Sequence, residues 1–293
     1  MRTVRTLLEG VIDYAGLFPP AGLDMAAAVA NYASYRSGET RWMLGRFVVP
    51  AARLDEFARA AAPCLAEGGG PWRLTALSGP DPKEDLARIA EFNRRHRGRA
   101  AVEAVEAKAP GGAELAARVP ASPDPLETYV EVPAAADPGE AVAAIARAGA
   151  RPKLRTGGIT PDAFPPADRV VRFMRACLAA AVPFKATAGL HHAVTGSYPL
   201  TYEPESPRAP MFGFLNLLLA AAWARQGSDD GEVRAVLEET SPGGFRFTDG
   251  RVGWRGRWLA EAEVGRTRRE LAVGFGSCSF VEPVDELRAL GLL

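Results

Sequence analysis

Lysine is scarce in this chain of 293 residues: of 35 basic residues only Lys83, Lys108, Lys153 and Lys185 are lysines, and the other 31 are arginines. Arginine stays protonated and cannot act as an amine nucleophile, whereas a desolvated lysine can lose its proton and form a Schiff base. A chain that uses arginine almost wherever a positive charge suffices has kept lysine at three expected strand ends. Cysteine is equally sparse. Cys64, Cys177 and Cys278 are an odd number at wide spacing, which excludes a disulfide scaffold and a paired-cysteine metal site and predicts a reducing, cytoplasmic setting. Net charge is absent, since 35 acids balance 35 bases. Neither nucleic acid nor a membrane surface is therefore expected as the main partner. Long apolar runs are missing too. The longest, Leu215 to Ala224, is interrupted by Asn216, and Met1–Gly10 lacks a continuous apolar core, so neither a membrane span nor a secretion signal is expected.

What is present is a rhythm. Short apolar or β-branched runs alternate with alanine-rich stretches of helical periodicity, the pattern of βα units around a parallel sheet. Strands are expected near Val11–Phe18, Trp42–Val49, Arg73–Leu77, Ala100–Lys108, Thr128–Val132, Pro152–Arg155, Pro183–Thr187 and Leu271–Phe275. Helices are expected over Asp24–Tyr35, Arg53–Leu65, Lys83–His96, Glu114–Val119, Asp137–Ala148, Pro166–Ala181 and Phe212–Gln226. Eight such units in a chain that is 47% hydrophobic fit a single (β/α)₈ barrel over residues 1–293. Pro120–Pro125 reads as a loop within that barrel. Two departures from a minimal barrel stand out. A proline-rich loop from Thr195 to Met211 is long enough to be a lid or disordered. Around Asp249-Gly250 the stretch Phe245–Trp254 alternates apolar and polar residues, which predicts a β-hairpin insertion within 241–270, before the last strand.

In such a barrel chemistry gathers at the carboxyl ends of the strands. The chain delivers a rich set there: Asp13 and Tyr14, Arg46, Glu106 with Lys108, Glu131, Lys153 and Arg155, then Lys185, Thr187, His191 and His192. Side chains alternate with period two, so Lys153 shares a face with Arg155 and Lys185 with Thr187. Glu103 and Glu106 face opposite ways, and Glu106 is chosen because it shares a face with Lys108. Glu131 lies inside Tyr-Val-Glu-Val, where an unpartnered carboxylate would be costly. Asp13 reads equally well as the cap of a turn, and Arg46 as a loop anchor. Adjacent histidines on a regular strand point apart, so His191 and His192 can share a metal only from a loop; one of them suits proton transfer. The final loop Gly276-Ser277-Cys278-Ser279 offers small residues whose amides can form an anion nest, and Gly157-Gly158 can add another. Phosphate sites in this fold commonly use the last loops. A small phosphate- or carboxylate-bearing metabolite is thus expected, with Arg155 and Arg46 as clamps and Thr187 beside them.

The segments Lys153-Leu-Arg-Thr-Gly-Gly158, Phe184-Lys-Ala-Thr-Ala-Gly-Leu-His-His192, Gly213-Phe-Leu-Asn216 and Gly274-Phe-Gly-Ser-Cys-Ser-Phe280 together resemble a bacterial (β/α)₈-barrel family. That likeness spans most of the chain and implies the fold without an activity. A local resemblance points further. Lys185-Ala-Thr-Ala-Gly189 is similar to the Lys-Thr-Ser-Thr-Gly-like strand end holding the Schiff-base lysine of class I aldolases of the deoxyribose-phosphate aldolase kind, and a second lysine before a Gly-Gly turn is similar to Lys153.

The leading expectation is a Schiff-base-forming lyase or aldolase, with no cofactor, acting on a small anionic carbonyl compound. Lys185 is the expected nucleophile, and Lys153 with Arg155 is expected to disfavour its protonated form. Glu131, Glu106 or a histidine would move protons. One alternative is a metal-dependent lyase or hydrolase with His191 or His192 and Glu131 as ligands; another is a non-catalytic barrel that binds an anionic metabolite. Oligomeric state is not legible.

Overall fold

In the computed structural model, which describes residues 1–66, 70–108, 126–133 and 136–293, eight parallel strands close into a barrel surrounded by helices. In chain order the barrel strands are β1 (Ile12–Tyr14), β2 (Leu44–Pro50), β3 (Trp72–Leu77), β4 (Ala100–Lys108), β5 (Glu127–Glu131), β6 (Arg151–Arg155) and β7 (Phe184–Thr187). Two small sheets follow before the barrel closes: β8 (Gly196–Pro199) with β9 (Arg208–Met211), then β10 (Phe245–Phe247), β11 (Arg251–Trp254) and β12 (Arg257–Ala260). The eighth barrel strand, β13 (Ala272–Ser277), pairs with β7 on one side and β1 on the other. Every expected barrel strand is present. The expected helix Glu114–Val119 and loop Pro120–Pro125 lie outside the described residues.

The helices begin where short polar side chains can satisfy otherwise orphaned amides. Asp24 accepts from the Ala27 amide at 2.7 Å and Asp81 from that of Glu84 at 3.0 Å, while Asp137 and Asp229 cap the helices that follow them. Each cap is worth about 0.5–2 kcal/mol. Between barrel and helices lies an aromatic layer: Tyr32 packs on Phe47 at 5.4 Å and on Trp72 at 5.0 Å between centroids, and Phe47 on Phe57 at 5.2 Å. Strand alternation sends Tyr14 into this layer and Asp13 into the barrel.

Two expectations are corrected. The segment Thr195–Met211 is neither open lid nor disordered; β8 and β9 form a hairpin with its own apolar cluster of Leu200, Ala209 and Met211 packed against Phe164 and Tyr198. The 241–270 insertion carries a three-stranded antiparallel sheet, because Arg257–Ala260 pairs with Arg251–Trp254, and then the helix Glu261–Glu270. The helix Phe214–Arg225 is buried along nearly its whole length. Its one polar interruption, Asn216, accepts from the Thr195 amide at 3.0 Å and donates to the carbonyls of Val236 and Glu239, both at 2.8 Å. No helix among the described residues is long and apolar enough to cross a membrane.

Candidate functional site

The middle of the barrel is charged. Lys153, Lys185, Glu106 and Asp13 are each no more than 6% exposed, although barrel interiors of this type are usually filled by branched apolar side chains. Register explains how they meet: Lys153 on β6 is the direct neighbour of Lys185 on β7 and of Glu131 on β5. Opposite them β4 brings in Glu106, whose two oxygens divide between the amines, Oε2 lying 2.9 Å from Lys153 Nζ and Oε1 2.5 Å from Lys185 Nζ. Lys185 has a second carboxylate, Asp13, in hydrogen-bond contact. Lys153 reaches Glu131 at 3.3 Å, and Glu131 also accepts from Arg155 Nε at 2.9 Å. Three cations thus face three carboxylates, and of the six only Arg155 is substantially exposed. Buried charges persist only when paired in this way.

Backbone features hold the cluster in register. A side chain at Gly45 would place its Cβ 2.2 Å from Asp13 Oδ1, so glycine there lets Asp13 accept the Arg46 amide at 2.6 Å while its other oxygen holds Lys185. The turns after β6 and β7 touch: a Cβ on Gly157 would lie 2.8 Å from the Gly189 Cα, and Gly189 itself has φ of +72°. That close approach draws the strand ends bearing Lys153 and Lys185 together.

The electrostatics follow from the pairing. Burial by itself would raise the Glu106 carboxyl, but the ammonium groups of Lys153 and Lys185 outweigh it and pull its pKa down to about 2. Glu131 is lowered against its own burial by Lys153 and Arg155. Burial would lower Lys185, yet Asp13 and Glu106 reverse that effect and hold its pKa well above the usual amine value. This corrects the expectation that Lys153 and Arg155 would disfavour its protonated form. The carboxylates are closer than the other cations.

Above the charged layer, at the carboxyl ends of the strands, opens a cavity of about 270 Å³. Lys153, Lys185 and Glu106 line it, as do Arg155, Thr187, His191, Gly276 and Cys278. Arg155 has a side chain 41% exposed, and Glu131 and the Gly157 carbonyl account for three of its N–H donors, leaving two of the five for a ligand. His191 Nδ1 hydrogen bonds with Ser277 Oγ at 3.1 Å. Burial, assisted by neighbouring His192, lowers the His191 pKa to about 4, so its ring is neutral at physiological pH. Cys278 lies 3.8 Å from the same nitrogen, and burial pushes its thiol up, away from the reactive thiolate.

Four expected site residues stand elsewhere or do other work. Arg46 lies at the amino-terminal end of the barrel, paired with Glu103 at 3.1 Å and Glu127 at 3.0 Å; strand alternation fixes its face, but its position early in β2 sets its height. His192 turns away, stacking on Tyr198 at 3.4 Å and bonding Glu286 at 2.5 Å. Ser277 and Ser279 are used within the last loop, where Ser277 Oγ accepts from the Ser279 amide at 3.3 Å and Ser279 Oγ from that of Glu282 at 3.2 Å. The alternative ligand set of His191 or His192 with Glu131 is not assembled: Glu131 is engaged by Lys153 and Arg155, and among the described residues no group of three His, Cys, Asp or Glu side chains is placed to hold a metal ion. Conversely, Asp13 belongs to the centre of the cluster. The only signal for it in the sequence is an acid within the apolar stretch Val11–Tyr14.

No family model and no curated protein matches the sequence. Among solved structures, a proposed deoxyribose-phosphate aldolase from Toxoplasma gondii ME49 is similar over 98% of this chain and 94% of its own, with 13% identity and a TM-score of 0.51. Deoxyribose phosphate aldolase from Aeropyrum pernix is similar over 99% and 98% of the two chains, with 13% identity and a TM-score of 0.48. At such identity the likeness to the Toxoplasma gondii structure speaks for the (β/α)₈ barrel alone.

Proposed function

We propose that the protein is a Schiff-base-forming lyase of the aldolase type, acting on a small carbonyl compound that carries an anionic group. The observation that carries this reading is a pair of buried amines, Lys153 and Lys185, bridged by one carboxylate, Glu106, on the floor of a cavity. Clusters of perturbed ionisable groups in a cleft concentrate at catalytic sites. The barrel likeness to aldolases agrees with it as fold-level analogy.

The ion pairs favour exchanging the roles expected for the lysines. Among the described ion pairs Asp13 contacts Lys185 and no other cationic side chain, though its charge also acts on Arg46, whereas both carboxylates that meet Lys153 are shared, Glu106 with Lys185 and Glu131 with Arg155. Lys153 therefore meets no carboxylate of its own. Lys153 is assigned as the nucleophile and Lys185 as the persistent cation beside it.

Lys153 releases its proton through Glu106, and its nitrogen adds to the substrate carbonyl. Loss of water, with protons supplied through Glu106, leaves an iminium. The iminium accepts the electron pair of the adjacent carbon–carbon bond as that bond breaks, giving an enamine and an aldehyde. His191, neutral and facing the cavity, takes the proton from the departing hydroxyl. Protonation of the enamine carbon and hydrolysis restore the amine; carbon–carbon bond formation is the reverse. Arg155 meets the anionic group.

The test is reduction with borohydride in the presence of a panel of small aldehydes and ketones, followed by peptide mapping. The expected product is a single adduct at Lys153, abolished in Lys153→Met. An adduct at Lys185 would reverse the two roles and keep the chemistry. Adducts confined to Lys83 or Lys108 would refute the assignment.

A further inference from the structure

The cavity has two unlike halves. Strands β4, β6 and β7 supply Glu106, Lys153, Arg155 and Lys185, whereas β2, β3 and the loop after β1 supply Val48, Leu77, Phe18 and Pro20. Ile159, in the turn after β6, adds an apolar side chain to the lining from the rim beside Arg155; it is 50% exposed, one of the few large apolar side chains of the described residues left so open. None of the side chains of Phe18, Val48, Leu77 and Ile159 carries a hydrogen-bond donor or acceptor. A hydroxylated or phosphorylated chain lying against them would lose its water and gain no side-chain partner in return. An apolar chain gains by displacing that water.

We infer that the cavity selects a carbonyl substrate whose chain is apolar, aliphatic or aromatic, with the carbonyl directed at the amines and the chain seated against Phe18, Val48, Leu77 and Ile159. The inference rests on the Schiff-base reading for the fate of the carbonyl, but not for the seating of the chain. A cavity of about 270 Å³ lies at the lower edge of ligand pockets, roughly 300–1,000 Å³, and suits a small molecule such as phenylacetaldehyde or a branched aldehyde with a carboxylate on it. The polarity axis also orients the substrate. Reversing it would put the apolar chain among three cations and leave the carbonyl beyond reach of either amine.

Two measurements on the full chain separate this inference from the chemistry it deepens. The first is the concentration at which 3-methylbutanal, phenylacetaldehyde, glyceraldehyde and glyceraldehyde 3-phosphate half-saturate borohydride trapping. The second is non-covalent binding of the unreactive 3-methylbutanol, 2-phenylethanol, glycerol and glycerol 3-phosphate, read by ligand-observed NMR. Both are repeated in Ile159→Asp, a substitution at an exposed position outside the buried core. The apolar aldehydes are expected to half-saturate at about tenfold lower concentration than glyceraldehyde, and Ile159→Asp to remove most of that advantage. Trapping of glyceraldehyde at or below the concentration needed for the apolar aldehydes would overturn the inference while leaving Schiff-base chemistry intact. Binding of the apolar alcohols, weakened by Ile159→Asp, without trapping of any aldehyde would support the seating and sink the amine chemistry. Failure of the apolar alcohols to bind would overturn the inference whatever trapping showed.

Discussion

Glu106→Gln is the sharpest probe of the charged layer, because it keeps the shape of the side chain and removes only its charge. Among the described residues this carboxylate alone contacts both amines, at 2.9 and 2.5 Å. Its pKa falls from 4.5 to about 2 in the folded protein. At about 1.4 kcal/mol per pH unit, that difference amounts to about 3 kcal/mol. The figure agrees with the roughly 3–5 kcal/mol lost when one partner of a buried ion pair is removed. The sign fixes the pH window. A carboxylate lowered on folding stabilises fully above its unfolded pKa, and the contribution is lost as pH falls through the folded value. Urea unfolding followed by circular dichroism should show Glu106→Gln less stable than wild type by about 3 kcal/mol at pH 7. The gap should narrow as pH drops below about 4.5 toward 2. A variant as stable as wild type at pH 7, or a gap that does not change with pH, would refute the ion-pair reasoning.

Other consequences are equally direct. The His191 ring should titrate by NMR near pH 4 rather than near 6.5, its charge being disfavoured by burial, and a midpoint above 6 would contradict the enclosed site. Because its folded pKa lies below the unfolded one, His191 should withdraw stability as pH falls from 6.5 toward 4. His192→Ala should cost about 1–3 kcal/mol of stability through its lost Tyr198 and Glu286 contacts, and leave borohydride trapping unchanged; loss of trapping in a folded variant would restore it to the site. Gly45→Ala should both destabilise the fold and depress trapping, since its methyl group would displace Asp13 from Lys185. Asn216→Leu strands the Thr195 amide and two carbonyls inside the protein, so unfolding measurements should show a loss of about 2–4 kcal/mol.

The architecture was legible because a parallel barrel repeats one local signal eight times, an apolar run followed by an amphipathic helix. Ends were less so. The first strand was expected over Val11–Phe18 but stops at Tyr14, where the chain turns through Ala15-Gly16 toward the Pro19-Pro20 pair. The turn at Asp249-Gly250 announced a hairpin, whereas β12 carries Arg-Trp-Leu-Ala directly before a helix and gives no alternating pattern.

In the site, period-two alternation placed Lys153, Lys185 and Glu106 on inward faces; His191 and His192 also diverge, but from the loop after β7, where that rule does not apply. What alternation cannot supply is height along the barrel axis or the partner across it. Arg46 faces inward as expected but sits at the opposite end from the cavity. Asp13 meets Lys185 from 172 residues away along the chain, a pairing set by barrel closure and not by any local pattern. The charge state of Lys185 was misjudged for that reason: its decisive neighbours come from the first and fourth strands, not from the adjacent one.

The central claim is that a buried lysine in the bridged pair is the reactive amine. Tandem mass spectrometry of protein reduced with borohydride in the presence of a panel of small aldehydes and ketones tests it most directly. The prediction is one stoichiometric adduct on the peptide bearing Lys153, absent from Lys153→Met. An unmodified Lys153 and Lys185 under conditions that label Lys83 and Lys108 would contradict it.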